Sequence, residues 1–156
     1  MKNLNKIIEK MENEIDTDGF VEVMDDCVQE IEESGIGLAA VEPLLQFIER
    51  HPLSDFGMPG SIVHFVETFY KKGCEQLLID SVKRRPAMHT VWMLNRVKNG
   101  EENQQRYIEI LNDIVQNKDI EEEIRTLFFV TMDFILAVLV MMADILCLLK
   151  MQESLY

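Results

Sequence analysis

Apolar side chains recur at three- and four-residue intervals along almost the whole chain, and this rhythm restricts the fold to packed α-helices. Leu4, Ile7, Ile8 and Met11 mark a first short helix. Phe20, Val23, Met24, Cys27, Val28 and Ile31 mark a second, with Asp18 placed to cap its start and Gly35 to end it in left-handed backbone. Pro43 suits the first turn of a third helix carrying Leu44, Phe47 and Ile48. Pro52 ends that helix, because the residue before a proline avoids helical angles. Residues 51–60, HPLSDFGMPG, form the one long loop, in which Gly57 and Gly60 supply backbone freedom. Ser61 is placed to cap the following helix, with Ile62, Phe65, Val66 and Phe69 inward. Further helices carry Cys74, Leu77, Leu78, Ser81 and Val82, then Met88, Val91, Trp92 and Leu94, then Tyr107, Ile108, Leu111, Ile114 and Val115. No stretch alternates with period two, so no strand is expected.

The expected fold class is therefore all-α. From Pro43 onward, helix pairs begin near residues 43, 74 and 103, a spacing of about thirty residues. That spacing suggests short antiparallel hairpins stacked as in a HEAT-like α-solenoid. The side chains themselves do not repeat, so a helical bundle stays open as the alternative. At 156 residues the chain is expected to be one domain. Within it, 1–35 hold acidic helices, 36–125 a helical-hairpin core, and 126–156 a long apolar C-terminal helix.

Charge is distributed in blocks. Acidic residues number 28 against 15 basic ones, for a formal net charge of −13. Residues 1–33 and 101–123 are strongly acidic, whereas residues 71–98 carry Lys71, Lys72, Lys83, Arg84, Arg85, Arg96 and Lys98. Such a balance repels polyanions and attracts cationic partners, so no nucleic-acid role is expected. The basic band is expected to pair with acids of the same chain or of another subunit. The acids are expected either to form solvated helix faces or to offer a surface to a basic protein.

Cys27, Cys74 and Cys147 lie far apart on apolar stripes, the pattern of reduced thiols in a cytoplasmic protein. The charged N-terminal stretch does not read as a signal peptide. Residues 126–149 carry only Asp133 and Asp144 as charges, and the segment is long enough to span a bilayer. Each Asp would cost about 2.5–3.5 kcal/mol near the centre of a membrane helix. Burial in the protein, or in a homodimer through Phe134, Val138 or Met142, is the favoured reading over a membrane anchor.

Catalytic signatures are few. His51, His64 and His89 form no metal motif, and His64 with Glu67 is an incomplete pair on one helix face. Cys74 has Lys71 and Lys72 nearby to favour its thiolate, yet its apolar stripe argues for a structural thiol. Asp55–Gly57 spell DFG without the surroundings of a kinase magnesium site. No catalytic residue, metal or cofactor is expected.

The runs HPLSDFGMPGSIVHFVE (51–67), SVKRRPAMHTVWMLNRVKN (81–99) and YIEILNDIV (107–115) carry a family resemblance, centred on the LNRxxN pattern of Leu94 to Asn99. The segment from about residue 42 to 123 resembles helical immunity proteins of bacterial polymorphic-toxin and contact-dependent growth inhibition systems. The acidic helices before it and the apolar segment after it lie outside the resemblance. The resemblance implies a small, cytoplasmic, non-catalytic protein that binds a cognate toxin domain, often a nuclease. A nuclease grips phosphate with basic surface, which an acidic inhibitor can occupy.

The residues expected to face such a partner are Glu22, Asp25, Asp26, Glu30, Asp55, Glu67, Glu101, Glu102, Glu109 and Asp113. Asp55 could instead brace its loop, and Asn95 could bond backbone across helices. The competing functional expectation is a scaffold or regulator that homodimerises through its C-terminal helix.

Overall fold

In a computed structural model, which describes residues 2–57 and 59–126, the amphipathic rhythm is realised as seven α-helices that lie wholly within the described residues. They are α1 Lys2–Glu14, α2 Phe20–Glu33, α3 Val41–Arg50, α4 Ser61–Glu67, α5 Cys74–Arg84, α6 Met88–Asn99 and α7 Gln105–Gln116. A 3-10 turn at Gly37–Ala40 leads directly into α3. No strand occurs among the described residues. The expectations placed on residues 127–156, including the long helix, the dimer face and the membrane anchor, lie outside them. No helix among the described residues is long and apolar enough to cross a membrane.

The helices bury most of the stripe their sequence spacing defines. In α1 these are Leu4, Ile7, Ile8 and Met11; in α2, Phe20, Met24, Cys27, Val28 and Ile31. α1 packs on α2 and α3, and α2 on α4. α3 packs on α5, α5 on α6, and α6 on α7. The buried side chains join into one core that runs from Leu4 to Ile124. Val23, Phe69, Leu77, Met88, Trp92, Ile108 and Val115, expected inside, are only partly buried.

Two caps expected from sequence are absent. The α1–α2 turn is closed by backbone: Thr17 N–H donates to Glu14 O at 2.9 Å and Phe20 N–H to Thr17 O at 3.1 Å. α2 then starts from Gly19 with no side-chain cap, and Asp18 stays exposed. Ser61 is the first helical residue of α4 rather than the residue before it, so its hydroxyl does not reach the free amides of the first turn. That hydroxyl is buried without a hydrogen-bond partner. At α6 the capping group comes from inside the helix, where the Thr90 hydroxyl accepts the Ala87 N–H at 3.0 Å.

The loop 51–60 is pinned at several points. Phe56 is 1% exposed and sits among the rings of Phe20, Phe47 and His89 at 5.7, 5.6 and 5.2 Å. His89 Nε2 donates to the Gly57 carbonyl at 2.7 Å, and Met88 N–H donates to Pro52 O at 2.9 Å. The loop thereby fastens α2, α3 and α6 together.

Candidate protein-binding surface

Four of the seven basic-band residues, Arg84, Arg85, Arg96 and Lys98, engage polar side chains of the same chain. Arg84 donates to both oxygens of Glu49, at 2.9 and 3.2 Å, and reaches Glu42 at 3.5 Å. Arg85 lies 3.8 Å from Glu121. Arg96 pairs with Glu67 at 2.8 Å while its guanidinium lies over Trp92, 4.7 Å from the ring centre. Lys98 is buried and donates to Asn95 Oδ1 at 2.7 Å; burial lowers the pKa of its ammonium. Lys71, Lys72 and Lys83 remain exposed, with Lys72 Nζ donating to Thr68 O at 2.9 Å.

The acidic block on α2 is arranged differently. Glu22, Asp25, Asp26 and Glu30 are all exposed, at positions that helical spacing aligns along one stripe. Glu30 accepts a long 3.5 Å bond from Asn3, and none of the four joins an ion pair among the described residues. The stripe therefore keeps its negative charge toward solvent.

The other expected partner residues do not join that stripe. Asp55 is exposed but accepts the Gly57 N–H at 2.8 Å, which is the bracing role. Glu109 is exposed and accepts from Gln105 at 2.9 Å, and Glu102 is exposed. Asp113 lines a mixed-charge cleft with Lys83, Arg84, Arg85 and Glu121. Glu67 lines a second cleft of about 230 Å³ among α4, α5 and α6, and Glu101 adjoins it through the hydroxyl of the lining residue Tyr70.

The floor of that cleft is apolar: Val66, Cys74, Leu78, Met93 and Val97. Its rim is polar, with the Glu67–Arg96 pair on one side and Tyr70 on the other. The Tyr70 hydroxyl donates to Glu101 Oε1 at 3.0 Å. Burial, reinforced by the Glu101 and Glu75 charges, raises the Tyr70 phenol pKa. A Cβ at Gly100 would stand 2.6 Å from that hydroxyl, so the bare glycine admits the ring.

Burial first, then the Glu75 and Glu67 charges, push the Cys74 thiol up to about 11. This reverses the effect expected of Lys71 and Lys72, because both lysines are exposed to water while the thiol faces the cleft floor. A thiol with so little thiolate at neutral pH is a poor nucleophile. Alkylation of Cys74 by iodoacetamide in the native protein is expected to be at least about a hundredfold slower than in the unfolded chain. Peptide-resolved mass spectrometry over a time course measures it.

His64 and Glu67, the incomplete pair on one helix face, make no hydrogen bond to each other among the described residues. Glu67 bonds Arg96 instead, and His64 is exposed. The described residues contain no group of three or more His, Cys, Asp or Glu side chains that could hold a metal ion. A different histidine is engaged: Glu12 accepts from Arg50 at 2.6 Å and contacts His51 Nε2 at 2.5 Å. Burial alone would raise the Glu12 carboxyl, but the hydrogen bonds and charges of His51 and Arg50 outweigh it and hold the pKa below the ordinary value. This cluster ties α1 to the end of α3.

Sequence reasoning missed Tyr70 and Arg96 as parts of a site. Trp92 and Arg96, four apart on one helix, were the available signal for a stacked guanidinium. No match was found to a protein-family model, to a curated protein or to a solved structure.

Proposed function

We propose that the chain is a non-catalytic immunity protein that neutralises a cognate basic toxin domain, of nuclease type, in the bacterial cytoplasm. One observation carries this reading. The three arginines of the basic band, Arg84, Arg85 and Arg96, are held by acids of the same chain, whereas Glu22, Asp25, Asp26 and Glu30 stand in one solvent-facing stripe that joins no ion pair among the described residues. The net negative charge is thus directed outward on a rigid helix. A preformed acidic face speeds encounter with a cationic surface and disfavours polyanions. The packing of α3 on α5, α5 on α6 and α6 on α7 fits short hairpins stacked in HEAT-like fashion, a rigid platform for such a face. Buried free thiols at Cys27 and Cys74 suit a reducing compartment.

The test uses the toxin-like product of the adjacent gene, purified as a catalytically dead domain. Stopped-flow association with the full chain is expected to slow steeply as salt rises. Replacing all four acids by Glu22→Lys, Asp25→Lys, Asp26→Lys and Glu30→Lys is expected to cut the association rate about 10- to 100-fold at low salt, with the gap closing at high salt. An association rate indifferent to both salt and substitution, or no binding at all, would sink the reading.

A further inference from the structure

The cleft among α4, α5 and α6 combines two features that rarely serve the same neutral ligand. Its floor of Val66, Cys74, Leu78, Met93 and Val97 is apolar, and its rim carries carboxylates. We infer that this cleft seats a lysine side chain of the basic partner, the aliphatic stem lying on the apolar floor and the ammonium meeting Glu101 at the rim. This rests on the proposed reading of the chain as a binder of a basic protein, and it names where one anchor residue goes.

The rim decides the charge of the occupant. Glu67 and Arg96 line the mouth, Glu101 reaches it through the Tyr70 hydroxyl, and Glu75 and Lys71 adjoin the lining residues Cys74 and Tyr70 in sequence. Both cations are already engaged. Arg96 is tied to both Glu67 oxygens, at 2.8 and 3.4 Å, and the Lys71 ammonium lies over the Tyr70 ring at 5.4 Å. Glu75 accepts the Lys71 backbone N–H. Glu101 uses Oε1 for the Tyr70 hydroxyl, which steers the carboxylate and leaves its other oxygen to accept.

The shape of the available acceptor favours lysine over arginine. A guanidinium fork is best met by two parallel carboxylate oxygens that are both unengaged, and Glu101 Oε1 already accepts from Tyr70. An ammonium is a compact charge on a flexible stem that covers apolar surface, and it needs no paired geometry. An anionic occupant would meet a net negative rim, with Glu67, Glu75 and Glu101 against Arg96 and Lys71, and a purely apolar one would leave the rim charges unused.

The experiment is an amide-resolved NMR titration of the full chain with two probes, N-acetyl-lysine methylamide and its neutral near-isostere N-acetyl-norleucine methylamide. The lysine probe is expected to shift Tyr70, Val97 and Gly100 and to bind about fivefold more tightly than the norleucine probe, the discrimination of a partly exposed charge pair. Glu101→Gln keeps the acceptor for Tyr70 and removes the charge, so it is expected to abolish that preference while the spectrum stays dispersed. Equal or tighter binding of the norleucine probe to the natural chain, shifts confined to residues outside the cleft, or a lysine preference that survives Glu101→Gln would each overturn the inference. These outcomes are separable from the proposed function, because the α2 stripe can still govern toxin association when the cleft takes no lysine.

Discussion

Replacing Phe56 with alanine is expected to remove about 3–5 kcal/mol of stability, the range for deleting a buried aromatic ring. Phe56 is 1% exposed although it lies in a loop, and its ring meets Phe20 of α2, Phe47 of α3 and His89 of α6. Both ring contacts with phenylalanine are edge-to-face, the favoured arrangement of aromatic quadrupoles. Removing the ring leaves a void bounded by three helices, none of which can close it without leaving its other contacts. Phe56→Leu restores most of the volume and is expected to cost less than half as much. Urea unfolding checks both: the midpoint should fall in the order natural, Leu, Ala, with unchanged slope. A loss under about 1 kcal/mol for the alanine variant would mean that the ring is not a plug between the helices.

Phe56 also marks the boundary of what the sequence reveals about the fold. Where side chains repeat at helical spacing, direction follows from position, and Leu4, Ile7, Ile8 and Met11 fall inside as their spacing demands. A loop has no period, so nothing in HPLSDFGMPG distinguishes the buried Phe56 from the exposed Leu53. The helix ends were also partly hidden. The stripe of Ile62, Phe65 and Val66 continues to Phe69, yet α4 ends at Glu67. Beyond it the chain advances through tighter turns, Phe69 N–H to Val66 O and Tyr70 N–H to Glu67 O, which keep Phe69 partly buried without continuing the α-helix. Asp18 and Ser61 have the right chemistry for caps, but capping depends on a one-residue register that composition does not fix.

The candidate surface was legible to the same extent. Glu22, Asp25, Asp26 and Glu30 share a helix, so their common stripe follows from spacing alone. Glu67 and Arg96 belong to different helices, and only the packed fold brings them to 2.8 Å. The same holds for Tyr70 and Glu101. Charge counting placed a basic band in the middle of the chain. It could not show that Glu49 and Glu42 already hold Arg84, because those acids precede it by a whole hairpin. Long-range pairing thus makes Arg84 of that local run of cations an internal strut between α3 and α5.

Gly60→Ala is expected to cost more than about 3 kcal/mol, a larger effect than a lone methyl group ordinarily has. Gly60 stands at φ 76°, ψ 160°, a region that only glycine occupies readily. An added Cβ would lie 1.8 Å from the Phe56 carbonyl oxygen and 2.9 Å from its carbon. Those obstacles are backbone, so no rotamer change relieves them, and the only escape moves the peptide that holds the Phe56 ring in the core. Gly57 gives an internal control: at φ 79° it also sits in left-handed space, but its added Cβ would lie 3.1 Å from Gly60 Cα. Gly57→Ala is therefore expected to lose about 1–2 kcal/mol, mostly backbone strain. Because Gly60→Ala and Phe56→Ala unseat the same peptide, the double variant should lose clearly less than the sum of the two. Urea unfolding of all four variants tests this coupling. Full additivity, or a Gly60→Ala loss no larger than that of Gly57→Ala, would show that the loop tolerates a side chain without releasing Phe56.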